Sequence, residues 1–250
     1  MMIGIRDAIE ARDIRAAGWA GILAVIPGIV VNFLTGTPLE PYPNWGWTDE
    51  RIVDYFAGQQ SAIAVQIFLT SAGFVLLLWA VAGVKRAVLT DTRPSLYSDL
   101  IVPSAAVATM ALLTGNGIYW TAGLRGFSPQ LTRFACDFLV TSGYLGVLLS
   151  AAVMLFSAGM AMRRSAAFPR WLAIGTTWAA LPLAVGPLFL LADAGPAAPM
   201  GLISLIPYFV LYLWLPITGI AMLRLTAAGR SAAAVAASAA SASNQAAASS

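Results

Sequence analysis

The segment FLVTSGYLGVLLSAAVMLFSAGMAM, residues 138–162, holds no charged side chain and is followed directly by Arg163 and Arg164. A helix needs about 20 mostly apolar residues to cross the hydrocarbon core of a bilayer, and this segment is long enough. It lacks the alternation of polar and apolar residues that marks a membrane β-strand. Because a helix satisfies its backbone hydrogen bonds internally, the segment is predicted to be a transmembrane helix.

Five further segments have the same character, and together they predict the fold. The predicted spans cover about residues 17–35, 57–84, 100–123, 135–162, 170–192 and 200–223. The expected fold class is therefore all-α, a polytopic transmembrane bundle of six helices within residues 1–225. Residues 226–250 are almost entirely alanine and serine, and we expect a disordered tail because it offers little to bury.

Composition limits the chemistry that the chain can perform. Hydrophobic residues make up 59% of it and charged residues 10%, against about 25% charged in soluble domains. The chain has no histidine and one cysteine, Cys136, which excludes an intrachain disulfide, His-ligated metal sites and a Ser-His-Asp triad. No paired-acid motif, Gly-x-Ser-x-Gly elbow or phosphate-binding glycine loop is present. We therefore predict no cofactor, no metal and a non-enzymatic role.

The distribution of arginine and lysine predicts the orientation in the membrane. Positive residues collect on the cytoplasmic side of short loops. With the N-terminus inside, eleven fall in inner segments, namely Arg6, Arg12, Arg15, Lys85, Arg86, Arg93, Arg163, Arg164, Arg170, Arg224 and Arg230. The outer loops hold three, Arg51, Arg125 and Arg133. Both termini are therefore predicted to be cytoplasmic, with the protein in a bacterial cytoplasmic (inner) membrane.

Polar side chains concentrate in the outer halves of the predicted spans. Gln66, Asn116, Asp137 and Tyr208 lie on four different helices at similar depth. Buried polar groups require hydrogen-bond partners or water, so one hypothesis is an outward-facing polar pocket lined by these four residues. Arg133, one turn before Asp137, is its expected partner at the rim. The alternative is ordinary hydrogen bonding between pairs of helices.

Two irregular regions carry further expectations. The outer loop before the second span is rich in proline and contains Trp45 and Trp47, which fit either an aromatic anchor in the headgroup zone or a lid over a ligand. Thr48 is the predicted N-cap of the second helix. Pro182 and Pro187 predict a break in the fifth span, and paired broken helices can mark a transporter's binding site.

The arrangement of the spans, with Arg163-Arg164 followed by Phe168-Pro169-Arg170-Trp171-Leu172, resembles a broad group of uncharacterised six-span bacterial inner-membrane proteins. The resemblance implies a multi-pass membrane fold. It implies no activity and no site residue, because none is assigned to the group.

The function predicted from these features is binding without catalysis. The outer pocket would take a neutral or lipid-like ligand, or a helix of a partner. A small-molecule transporter or permease subunit is the alternative, and a membrane-embedded enzyme the third. Expected partners are the lipid bilayer and a membrane-protein partner or a second copy of the chain. No nucleic-acid partner is expected, because the net charge of +3 comes from scattered loop residues rather than a basic stripe.

Overall fold

The computed structural model describes residues 2–27, 46–192, 197–199 and 203–248, and this part of the chain is helical without β-strands. The elements are α1 (Met2–Leu23), α2 (Asp49–Val88), α3 (Leu96–Arg125), α4 (Pro129–Thr141), a π-helical segment (Ser142–Leu148), α5 (Leu149–Met162), α6 (Arg170–Val185), a 3-10 segment (Gly186–Leu191) and α7 (Ile206–Ala248). Helix α4, the π-helical segment and α5 follow one another without a break. The all-α prediction is confirmed.

Within the described residues, five helices are long and apolar enough to cross a membrane: Asp49–Val88, Leu96–Gly123, Pro129–Met162, Arg170–Leu191 and Ile206–Ala228. Large apolar side chains cover their outer surfaces. Phe68, Trp79, Trp178 and Leu191 each expose more than half of their area. Such surfaces belong in lipid, as in a multi-pass membrane protein. The first predicted span, residues 17–35, lies partly outside the described residues.

The helices begin and end at residues suited to those positions. The Thr48 hydroxyl accepts a hydrogen bond from the Arg51 backbone N–H at 3.3 Å, so Thr48 caps α2 as predicted. Ser95 and Ser98 form a reciprocal capping box at the start of α3. Helix α3 ends at Gly126, whose φ of 59° suits a residue without Cβ.

Ion pairs lie at both ends of the bundle. At one end, here called the arginine-rich end because it holds Arg86, Arg163, Arg164 and Arg170, α1 and α2 are joined by Arg86. Its guanidinium lies 3.5 Å from a Glu10 oxygen and 3.4 Å from an Asp13 oxygen. Lys85 pairs with Asp99 of α3 at 3.3 Å. The opposite end, here called the Trp47 end, contains Trp47 and Arg133.

Helix α1 packs against α2 and α7, α2 against α3, and α5 against α6. Glycines allow these helices to approach closely. A Cβ on Gly219 would lie 2.5 Å from the Gly18 carbonyl oxygen, and one on Gly83 would overlap the Ala17 methyl group. The contacts of small residues replace the hydrophobic driving force that is absent between helices in lipid.

The tail differs from the prediction of disorder. Helix α7 continues from the membrane-spanning part through residue 226 to Ala248. Alanine has the highest helix propensity, so a chain of alanines attached to an existing helix can extend it without tertiary contacts.

Gly159→Ala should lower the melting temperature, whereas Gly175→Ala should leave it nearly unchanged. A Cβ at position 159 would lie 2.6 Å from the backbone nitrogen of Thr177, so α6 would have to move away from α5. Overpacking of this kind costs about 1–3 kcal/mol. A Cβ at Gly175 meets no atom within 4 Å, which makes it the matched control. Thermal unfolding in detergent micelles measures both; equal losses would contradict the close approach of α5 and α6.

Candidate functional site

The four residues predicted to line one pocket all lie in the half of the bundle nearer the Trp47 end. The structure places them in separate neighbourhoods. Asn116 of α3 is buried, and its side-chain nitrogen donates to the Ser71 hydroxyl of α2 at 3.2 Å. This contact ties two neighbouring helices together, as the packing alternative requires.

Asp137 lies half-buried on α4, one turn after Arg133. Arg133 does not form the expected ion pair with it. The Arg133 guanidinium instead pairs with Asp49 at the start of α2 and donates a second hydrogen bond to the Trp47 carbonyl. Asp49 is the better partner because it also brings α2 and α4 together. The direct contacts of Arg133 therefore close the Trp47 end of the bundle.

Trp47 lies inside the protein, with 8% of its surface exposed, so the predicted aromatic anchor in the headgroup zone is wrong for this residue. Trp45 lies outside the described residues. The Arg51 guanidinium stacks 4.0 Å above the Trp47 ring, a cation–π contact. Trp47, Tyr55, Phe56 and Tyr119 form a chain of ring contacts with centroid separations of 5.7, 5.9 and 4.8 Å. This cluster and the Arg133 contacts cap the bundle.

Tyr208 of α7 lies against the π-helical segment. Its ring packs edge-on against Tyr144 at 5.7 Å, and the Tyr144 hydroxyl donates to the Ser204 hydroxyl at 2.9 Å. A Cβ on Gly143 would lie 2.8 Å from the Tyr208 hydroxyl oxygen, so glycine makes room for that group. Tyr208 is thus held in place by the irregular part of the helix.

Tyr208 also lines a narrow crevice between α1, α2 and α7, and the other three predicted residues do not. The crevice is lined by Ala24, Pro27, Thr70, Gly73, Phe74, Leu77, Tyr208, Leu211, Tyr212 and Leu215. Its volume of about 20 Å³ is enough for one water molecule or for the terminal group of a ligand. No charged side chain lines it, so its polar groups are the hydroxyls of Thr70, Tyr208 and Tyr212.

Gln66 lies one helical turn from Thr70, on the stripe of α2 that faces the crevice. It is 2% exposed, and neither its side-chain nitrogen nor its oxygen has a hydrogen-bond partner. Its backbone carbonyl accepts a hydrogen bond from the Thr70 hydroxyl at 2.8 Å. A buried polar group left without a partner costs about 1–3 kcal/mol. Gln66 is therefore the predicted residue whose surroundings most need a ligand or water.

The two segments of irregular helix geometry meet in the same half of the bundle. The π-helical segment contacts the 3-10 segment that follows α6. A Cβ on Gly186 would lie 2.5 Å from a Leu148 methyl group and 3.3 Å from Pro207, so three helices converge here. Pro182 lies inside α6, and the helix passes directly into 3-10 geometry at Gly186, one residue before Pro187, so the predicted break takes the form of a change in helix type.

Sequence reasoning did not identify every polar contact. Thr176 accepts a hydrogen bond from the Trp214 indole at 2.9 Å, and both residues are buried. Neither was singled out, because one threonine and one tryptophan on separate helices give no local spacing signal. Among the described residues, no three His, Cys, Asp or Glu side chains come together as they would around a metal ion.

Comparison of the chain with protein-family models, with curated proteins and with solved structures found no match. The function therefore has to be argued from the geometry of the site. The two features available for that argument are the unsatisfied amide of Gln66 beside the crevice and the contact between the interrupted helices.

Proposed function

We propose that the protein is a non-enzymatic, multi-pass protein of the bacterial cytoplasmic membrane whose Trp47 half binds a neutral, lipid-like ligand. In this proposal the chain crosses the membrane six times, the arginine-rich end faces the cytoplasm and the Trp47 end faces outward. The excess of arginine in the inner segments supports that orientation.

The observation that carries the ligand proposal is the Gln66 amide. Its donor and acceptor groups lie buried without partners, one helical turn from Thr70, which lines the crevice together with the two tyrosines. An ester carbonyl or a hydroxyl can satisfy an amide, and neither brings a charge into the membrane. The remaining lining is apolar, which suits hydrocarbon.

The size of the crevice limits how the ligand binds. Drug-sized molecules occupy pockets of about 300–1,000 Å³, and this crevice is far smaller. It takes only one end of a ligand, so the rest must lie against the lipid-facing surface of the helices. A diacylglycerol, with ester groups, a hydroxyl and two chains, has the required chemistry.

Gln66→Leu should reduce binding of a photoactivatable diacylglycerol to the crevice by about tenfold, since one or two hydrogen bonds are lost. The protein is reconstituted in nanodiscs, irradiated and digested, and labelled peptides are counted by mass spectrometry. Labels should fall on the α2 and α7 residues that line the crevice.

Gln60→Leu is the matched control, because Gln60 is an amide on the same helix that donates weakly to the Gly123 carbonyl at 3.5 Å. It should leave the labelling unchanged. If Gln66→Leu raises the melting temperature in detergent but does not alter the labelling, the amide is only a packing defect and the ligand proposal fails.

The orientation is tested by cysteine labelling of intact cells in a Cys136→Ser background. Gln130→Cys should react with a membrane-impermeant maleimide, while Arg93→Cys and Ala166→Cys should react only after permeabilisation. All three positions are exposed in the structure, so access is decided by the membrane. Reaction of Arg93→Cys in intact cells would overturn the six-span arrangement.

A transporter or permease subunit is the second candidate, and the contact between the π-helical segment and the 3-10 segment favours it. Interrupted helices at membrane depth recur where transporters bind substrate and move. Spin labels on the exposed residues Leu145 and Leu188 report the separation of the two segments. Alternating access requires at least two populated distances, whereas one narrow distribution in lipid would count against transport.

A further inference from the structure

A second cavity lies at the arginine-rich end, where α5 turns into α6. It is lined by Met162, Arg163, Ser165, Ala166, Phe168, Arg170 and Ile174, and its volume is about 530 Å³. It is therefore many times larger than the crevice beside Gln66. Its lining has a polar part with two arginines and an apolar part with Met162, Phe168 and Ile174.

No carboxylate lines this cavity. Among the ion pairs of the described residues, none involves Arg163 or Arg170, while Arg86, Arg133 and Lys85 all have acidic partners. Two arginines thus border one concave site, and neither is paired with a carboxylate within the described part of the chain. Arginine is the side chain best suited to bind phosphate, because its planar fork donates two parallel hydrogen bonds.

The loop that forms the cavity is held in shape from outside. Asp91, in the loop between α2 and α3, accepts hydrogen bonds from the Ser165 hydroxyl at 2.7 Å and from the Ala166 N–H at 2.6 Å. Ser165 in turn accepts a bond from the Ala167 N–H at 3.1 Å. Asp91 is therefore occupied by the loop, and it fixes the backbone that carries Arg163 on one side and Arg170 on the other.

The surroundings of the cavity place it at the membrane surface. Trp171, next to Arg170, is 64% exposed, and Trp178, two turns further along α6, is exposed as well. Tryptophan prefers the headgroup zone of a bilayer. Ile174 lines the cavity and is itself partly exposed, so the apolar part of the cavity continues onto the lipid-facing surface of α6.

From this geometry we infer that Arg163 and Arg170 form a binding site for the phosphate of an anionic phospholipid, with the glycerol and first chain carbons against Phe168 and Ile174. The first residues of α6 add the positive end of a helix dipole to the arginine charges. Each residue of the Phe168-Pro169-Arg170-Trp171 motif thereby has a physical role. Phe168 packs against the lipid, Pro169 precedes the first residue of α6, Arg170 binds the phosphate, and Trp171 lies in the headgroup zone of the bilayer. The inference does not depend on the crevice beside Gln66.

Native mass spectrometry of the full chain, titrated with dioleoyl-phosphatidylglycerol or dioleoyl-phosphatidylcholine, tests the inference. Two arginines attract an anionic headgroup and not a zwitterionic one, so the anionic lipid should bind at least about tenfold more tightly. Arg163→Gln/Arg170→Gln should remove this preference. Arg93→Gln/Arg224→Gln is the matched control, because it removes two exposed arginines outside the cavity, and it should retain the preference.

Three results would overturn the inference. Equal binding of the two lipids by the unaltered protein would show that the site does not recognise anionic headgroups. Equal loss in both double variants would show a diffuse charge effect. Binding of inorganic phosphate by the unaltered protein, without preference between the lipids, would assign the cavity to a soluble anion. Should the first double variant fail to fold, Arg170→Gln alone supplies the comparison, with Arg93→Gln as its control.

Discussion

Close contact between helix backbones is the constraint on which the rest of this structure depends. Helices in lipid gain little from burying apolar side chains, because lipid tails are equally apolar. They must instead approach closely, and here Gly83 meets Ala17, Gly159 meets Thr177, and Gly219 meets the Gly18 carbonyl. These backbone contacts hold α1 between α2 and α7, and α5 against α6, without the help of polar side chains.

The positions of the polar groups follow from those contacts. Gly73 of α2 packs against the backbone just after α1: a Cβ on Gly73 would lie 3.2 Å from the Ala24 carbonyl oxygen. Thr70 and Gln66 precede Gly73 by about one and two helical turns on the same helix. The crevice lies beside this contact, since Ala24, Thr70 and Gly73 all line it. In the π-helical segment, the buried Tyr144 donates its hydroxyl hydrogen bond to the Ser204 hydroxyl. Backbone packing therefore determines which polar side chains find partners and leaves the Gln66 amide without one.

The helices were predictable from sequence, whereas the partners of the polar residues were not. Uncharged runs of sufficient length and the Thr48 cap are local signals, and within the described residues five of the six corresponding helices are present at spanning length. The expected pair of Arg133 and Asp137 rested on spacing within one helix. The ion pair of Arg133 with Asp49 joins residues 84 positions apart, and only the packing of α2 against α4 brings them together. The cavity at the arginine-rich end could not be predicted from sequence either, because it depends on a loop conformation that Asp91 fixes through its hydrogen bonds to Ser165 and Ala166.

The two candidate sites differ in charge for one physical reason. Arginines accumulate at the arginine-rich end of the bundle, where the loop between α5 and α6 and the first residue of α6 carry Arg163, Arg164 and Arg170. Arg164 stacks on Tyr97 at 5.0 Å, which leaves the other two to border the cavity. At the Trp47 end, Arg133 and Arg51 are occupied by Asp49 and Trp47. The crevice is therefore lined by apolar and hydroxyl side chains without charge, whereas the cavity at the arginine-rich end is bordered by two arginines that form no ion pair within the described part of the chain. The arginines around the turn from α5 to α6 thus account for the difference in charge between the two candidate sites.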